Sequence, residues 1–550
     1  MRREFVLVAH LDSPAKHAEA LGGLGCFVIG STHKREIAAT RRAREPFQTK
    51  FDEVRNMKKI SLISTFFLLC AVSAAQAGQS APSCGTALVG GLLIDGRGGA
   101  PIENSVVLIE GSRISAVGTA ATVKIPSCAE RIDAVGKTVM PGLINSNVHL
   151  TLYPIYMENA GDPLYPSTSG DDGKKWRTWI EQRQTAEDHA RRYLHVFLLQ
   201  GVTSVRSTSD SISMIDLKRE ADRSEFKGAR LFLGGANIGS PDWYDRIVRA
   251  IGADQEKNIT WFVPVRGLSS VRDDLKKLEI PELNFWKLGL TGGDFGSANL
   301  ISDDVLKAIV QEGHRAGKIM DAHVTSLAGI RSGLDAGLDV MEHPNLSEPL
   351  PPQLIEEYAR KGVFLSPLHM ADEGYVEIRE NPDILNDPIY KEFLSEEEYV
   401  MLQQLKQNLL RAREQPGRRF FDIPTPTHTN LSLDEWRTAM EFCRQNLKNF
   451  IRAKTRIVMS TDAPGTPFNF PEMMWHVREL QTYVRYGMTP IEALQTATKN
   501  AAELLKMDKD LGTIEPGKIA DVIATNGNPL IDMDAFRHVV VVIKGGRRFK

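Results

Sequence analysis

Five side chains in this sequence could together do hydrolytic chemistry: His149, Lys287, His323, His343 and Asp462. Imidazole nitrogen and carboxylate oxygen suit Zn²⁺ and similar divalent ions. Water on such an ion loses its proton near neutral pH and becomes a nucleophile. A carboxylate beside it can take that proton and pass it to a leaving amine, the role expected of Asp462. Singly, each residue has a structural explanation. A lone His near an apolar strand is more often hydrogen-bonded scaffold, a Lys within Phe285-Trp-Lys-Leu288 can snorkel, and an Asp in Ser460-Thr-Asp-Ala463 can cap a helix. Their joint placement at the ends of strand-like segments reverses that reading.

The segments that must position them alternate strand and helix signals over 140–508, which implies a parallel α/β sheet. The first is Met140-Pro-Gly-Leu-Ile-Asn-Ser-Asn-Val-His-Leu150, where Asn145, Asn147 and His149 share one face at period two. The others run over 203–207, 230–234, 285–289, 319–323, 339–343, 362–366 and 456–462. Eight strands close a (β/α)8 TIM barrel, and residues at the strand C-termini share its catalytic end. The spacing predicts a helix over 301–316, capped by Ser302, with Asp303 and Asp304 in its first turn and Val305, Ile309 and Val310 facing inward. The charged stretch 367–455 is too long for a connector and reads as a helical insertion, either a lid or wall over the barrel mouth or additional scaffold. Short alternating strands in 78–139 and again in 509–550 suggest one small β-sandwich domain built from both ends of the chain.

Composition is that of a globular protein, with 67 Lys+Arg against 69 Asp+Glu. The balance implies no basic nucleic-acid-binding face, and the partner expected is a small-molecule substrate. Met57-Lys-Lys, the apolar run Ile60–Ala75 and Ala75-Gln-Ala77 form a secretory signal peptide over 57–77. Residues 1–56 then read as a non-native upstream extension. The expected location is periplasmic or secreted, with no membrane association after signal removal. Export also allows a disulfide between Cys84 and Cys128. A homo-oligomer is expected.

The opening stretch resembles the Pro-Gly-x-x-Asp-x-His-x-His motif of the amidohydrolase superfamily, with Asn145 at the Asp position, Asn147 at the first His and His149 at the second. Gly201-Val-Thr-Ser-Val-Arg206, Met341-Glu-His343, Ser460-Thr-Asp-Ala463, Gly487-Met-Thr-Pro-Ile-Glu-Ala-Leu494, Ala497-Thr-Lys-Asn-Ala-Ala502 and Gly512-Thr-Ile-Glu-Pro-Gly-Lys-Ile-Ala-Asp521 extend it. Together they are similar to the imidazolonepropionase/prolidase-like branch. The resemblance implies that His323 and His343 hold one (β) metal and that His149 and Asp462 serve the other (α). It implies a CO₂-derived carbamate on Lys287 as bridging ligand. It also implies a barrel bracketed by the β-sandwich. Asn147 departs from the pattern: a carboxamide is a poorer Zn²⁺ ligand than imidazole. The Asn-x-His variant resembles the phenylurea and molinate hydrolases and implies one tightly held ion, Zn²⁺ first and Co²⁺, Mn²⁺ or Fe next, with the α site weak or empty. A two-metal site with Asn147 as a weak ligand is the alternative.

The expected activity is hydrolysis of C–N bonds in amides, ureas, carbamates or blocked dipeptides. The competing readings are a non-hydrolytic small-molecule binding protein on the same fold and an Xaa-Pro or N-acyl amino acid hydrolase. The latter needs a cation to hold a carboxylate, with Arg206 and Arg266 as candidates. His369 and Tyr153 are further substrate-binding candidates, and Tyr156, Tyr165, Trp176 and Trp179 extend an aromatic wall. His476 is expected to pack on a helix.

Overall fold

The computed structural model describes residues 84–151, 183–251, 261–291, 300–346, 348–394, 433–464 and 473–550, with scattered positions between 395 and 410. Residues 1–56, the segment 57–77 expected to be a signal peptide, Tyr153 and the other residues of the expected aromatic wall lie outside the described residues. Among the described residues, no helix is long and apolar enough to cross a membrane.

The first five strands are β1 (Thr86–Leu93), β2 (Ile102–Glu110), β3 (Arg113–Thr119), β4 (Glu130–Asp133) and β5 (Lys137–Pro141). They join β16 (Val522–Asn526), β17 (Val539–Lys544) and β18 (Arg547–Arg548) in one mixed eight-stranded sheet. The seam between the two ends of the chain is the antiparallel β5–β16 pair, in register from Lys137↔Asn526 to Pro141↔Val522. Alternation along β2 covers both faces: Val107 and Ile109 enter one apolar cluster, Val106 and Leu108 another. Cys84 and Cys128 flank the parallel β1–β4 pair as thiols in contact. Donating its S–H to Cys128 pushes the Cys84 thiol pKa up.

The barrel begins directly after β5 with β6 (Leu143–Val148), then β7 (Val202–Ser207) and β8 (Arg230–Leu233), all parallel. A second, seven-stranded sheet starts at β10 (Phe262–Pro264), which pairs β9 (Asn237–Gly239), which in turn pairs β11 (Phe285–Gly289). It then runs through β12 (Ile319–His323), β13 (Val340–Glu342), β14 (Phe364–Ser366) and β15 (Arg456–Ile457). Bridges Leu233↔Leu283 and Val148↔Ala463 join the ends, so β6, β7, β8, β11, β12, β13, β14 and β15 make the ring. Beyond Ile457 the chain stays alongside β6: Ser146 N donates to Met459 O and His149 N to Ala463 O, both at 2.9 Å.

Period-two alternation stacks the interior in layers. Ile144, Phe232, Phe285, Ile319, Val340, Phe364 and Val458 form an apolar floor. Two residues further along their strands come Ser146, Lys287, Asp321, Glu342, Ser366 and Ser460, all buried and all polar. Outward residues such as Trp286, Leu288, Met320 and Met341 pack under the helices. Arg206 of β7 completes the polar layer at 0% exposure. Its Nη1 lies 2.8 Å from Asp321 and its Nη2 3.2 Å from Glu342. Its Nε donates to Ser146 O at 2.5 Å, and its guanidinium lies 4.6 Å from the Phe285 ring centroid.

Four helices matter below: α1 (Asp303–Arg315), α2 (His369–Glu380), α3 (Leu433–Arg452) and α4 (Trp475–Arg485). Ser302 sits at the α1 N-cap but makes no capping bond: the Val305 N–H that it would accept goes instead to Asp304 Oδ1 at 2.9 Å, which also accepts from the Ser302 hydroxyl at 2.6 Å. Ile309 and Val310 are buried and Val305 is half-buried. Within 367–455 the described elements are α2, two short 3₁₀ turns (Pro382–Asn386 and Pro388–Glu392) and α3.

Removing the Arg206 guanidinium leaves two carboxylates buried without it. Arg206→Ala is therefore expected to cost about 3–5 kcal/mol of stability in urea denaturation; a loss under 1 kcal/mol would contradict the charge arrangement.

Candidate active site

Above the polar layer the strand ends bring ligand-type side chains together. His149 follows β6, and its Nδ1 donates to Thr208 O at 2.8 Å, since a carbonyl only accepts. That fixes Nε2 toward Asp462 Oδ1, 2.9 Å away. Burial raises the Asp462 pKa, but His149, then His343 and Lys287, overcome it and hold the carboxyl well below the usual carboxylate range. His323 ends β12 and His343 follows β13, with ring centroids 4.8 Å apart. His343 and Asp462 both carry left-handed backbone, φ 60° each. Non-glycine residues rarely adopt it, and such strain gathers at functional sites.

Lys287 stands in the polar layer beneath, against Glu342 and 3.8 Å from Asp321. Burial, with help from Arg206, outweighs the pull of Asp321 and Asp462 and lowers its pKa to about 8.

The donor set suits a divalent cation: three imidazoles, a carboxylate and a lysine able to lose its charge. Lys287 Nζ lies against Glu342, and His343 Nδ1 is a buried atom without a hydrogen bond, facing the Asp372 carboxylate 3.5 Å away. Among the described residues, no three His, Cys, Asp or Glu side chains already converge at ligating distance. Asn147 is different. Its Oδ1 accepts from the Thr208 hydroxyl at 3.1 Å, and its buried Nδ2 has no hydrogen bond. The group left over is an NH₂, which cannot ligate a cation.

Other expected residues fall elsewhere. Arg206, enclosed by Asp321 and Glu342, is not placed to hold a substrate carboxylate; the barrel interior uses it as a counter-ion. Arg266 lies on the surface, paired with Asp274 at 2.6 Å. His369 is buried rather than lining an open pocket, 2.6 Å from Glu373 and 3.4 Å from the Tyr486 hydroxyl. His476 is buried, and burial lowers its pKa to about 3, so it is a neutral core residue.

Sequence reasoning missed several acids. Asp321 and Glu342 carried a signal, a charge inside an apolar strand next to a candidate ligand. Asp210 accepts from the Thr151 hydroxyl at 2.8 Å, and burial raises its pKa to about 6 against the Ser207 and Thr151 hydrogen bonds. Asp372 of α2 lies 3.5 Å from His343 Nδ1. Neither Asp210 nor Asp372 had a sequence signal beyond loop or helix polarity.

The fold is an eight-stranded parallel barrel with His, Lys and Asp at its strand ends, joined to a sheet built from both flanking segments. The amidohydrolase family model matches residues 138–548, and the chain belongs to that family. Its members generally use divalent metal ions. Ochratoxinase from Aspergillus niger is 31% identical over 255 residues, 45% of this chain and 42% of the relative. The chain thus matches less than half the length of that relative. Imidazolonepropionase from Geobacillus sp. (strain WCH70) is 22% identical over 479 residues, covering 81% of this chain and 90% of the relative. The crystal structure of a Xaa-Pro dipeptidase with bound methionine superposes with a TM-score of 0.64 at 20% identity, over 85% of this chain and 100% of that one. At that identity the likeness speaks for the fold.

Glu373 provides a pH test of the wall behind His369. Burial raises its pKa, but His369 and Arg444, the latter 3.0 Å away, bring it down to about 2. A depressed carboxylate contributes stability above its unfolded pKa, near 4.5, and loses it as pH falls toward 2. Glu373→Gln is therefore expected to flatten the fall in stability between pH 4.5 and 2; an unchanged acid limb in pH-dependent denaturation would contradict the pairing.

Proposed function

We propose that this protein is an exported, metal-dependent hydrolase of C–N bonds in amides, ureas, carbamates or blocked dipeptides, with Asp462 as general base. Family membership supports C–N hydrolysis. The observation that carries the finer reading is the depressed, ionised Asp462 set between His149, His343 and Lys287. Export rests on the Met57–Ala77 pattern.

His323, His343 and Lys287 as its carbamate would hold one divalent ion, Zn²⁺ by donor type. Such an ion supplies Lewis-acid polarisation and acidifies water near it. The chain's own residues do the rest. Asp462 is a carboxylate throughout the working pH range, ready to accept a proton and return it to the departing amine. Thr208 holds His149 with Nε2 directed at Asp462. Asn147 gives the α side an amide whose oxygen is already engaged, which supports one tightly held ion rather than two.

Two variants test this. Asp462→Asn is expected to lower kcat/KM on an amide and urea panel by about 10²–10⁴, with metal content measured alongside; undiminished hydrolysis would overturn the assignment. Asn147→His should raise the metal stoichiometry, read by elemental analysis, from one toward two. A wild-type stoichiometry of two would overturn the single-ion reading.

A further inference from the structure

Asp372 has no place in the chemistry above, yet it faces a residue that does. It lies in the first turn of α2, and its Oδ2 is 3.5 Å from His343 Nδ1. The side chains are only 14% and 8% exposed, and neither atom makes a hydrogen bond. A carboxylate and an imidazole nitrogen, both buried and each facing the other, are a few tenths of an ångström from a charge-assisted bond.

The approach is built into the fold. Leu368, in left-handed backbone at φ 52°, turns the chain sharply from β14 into α2. Glu479 of α4 then fixes the helix start: its carboxylate accepts from His369 N at 3.1 Å and Met370 N at 2.8 Å. The Tyr483 hydroxyl holds Glu479 in turn at 2.8 Å. The first turn is thereby clamped, and the helix N-terminus favours an anion there. On the other side, the φ of 60° at His343 sets the direction of its ring.

We propose that Asp372 is the positioning residue for His343, accepting from Nδ1–H so that Nε2 is the nitrogen left with a lone pair for a divalent ion. The inference rests on the metal-dependent reading above. A carboxylate behind a ligating imidazole fixes its tautomer and orientation and raises its basicity, and losing one typically costs 10–100-fold in metal affinity.

Chelator competition with Zn²⁺ on the purified full chain tests this without an activity assay. Asp372→Asn is expected to weaken Zn²⁺ affinity about 10–100-fold, and Asp372→Glu to recover most of it. In the Co²⁺-loaded protein, the paramagnetically shifted ring N–H proton of His343 should be sharp in the wild type and lost to exchange in Asp372→Asn. Equal affinity in wild type and Asp372→Asn, with the ring proton retained, overturns the role of Asp372 while leaving the metal reading intact. A wild type that takes up no Zn²⁺, Co²⁺ or Mn²⁺ overturns both. Circular dichroism of the metal-free variants separates these outcomes from misfolding, and the Asp372→Glu rescue carries the test if Asp372→Asn does not fold.

Discussion

The structure is organised by a layer of opposite charges inside the barrel. Arg206, Lys287, Asp321 and Glu342 come from four strands and are all almost wholly screened from water. Two cations face two anions, so the layer is near neutral while Lys287 is protonated. Burying such a set is costly, and a hydrophobic replacement is often as stable or more so. Its value lies above it. It fixes β7, β11, β12 and β13 against one another at the level where the next residues up, His323 and His343, must meet.

The site above is built unequally. On the His149 side Thr208 holds the ring, Asp462 faces it and Asn147 is tied to the same threonine, with only its Nδ2 left over. The His343 side has polar atoms still without hydrogen bonds. Two residues with left-handed backbone, His343 and Asp462, stand on opposite sides of this division. The strain they share is supported by the surrounding strands rather than by their own sequence.

The barrel was legible because period-two alternation survives in short strands and because polar residues ended them. The eight segments read from the sequence are the eight that form the ring, with the strand at 456–462 continuing past its regular hydrogen bonding as an extended chain beside β6. His149, His323, His343 and Asp462 were visible as polar strand ends. Arg206 was visible, but its role was not. A cation at the end of a β-strand looks the same in sequence whether it meets substrate or a buried acid on another strand, and Asp321 and Glu342 decide the matter from over a hundred residues away. Asp372 and Glu479 were hidden for a similar reason: a carboxylate on an amphipathic helix looks like solvent-facing polarity until the packing partner is known. Ser302 shows the local version, since a good capping residue was diverted by a neighbouring aspartate.

The seam between β5 and β16 has a temporal meaning. β5 is made nearly four hundred residues before its partner, and its edge stays unpaired until the last part of the chain arrives. At synthesis rates of about 5–20 residues per second, that wait is on the order of tens of seconds. An open strand edge invites pairing with other chains for all of that time. The barrel between the two halves of the sheet must therefore mature around an unfinished support, and contacts of such long sequence separation are slow to form. The support that would lock the fold is the last piece to become available.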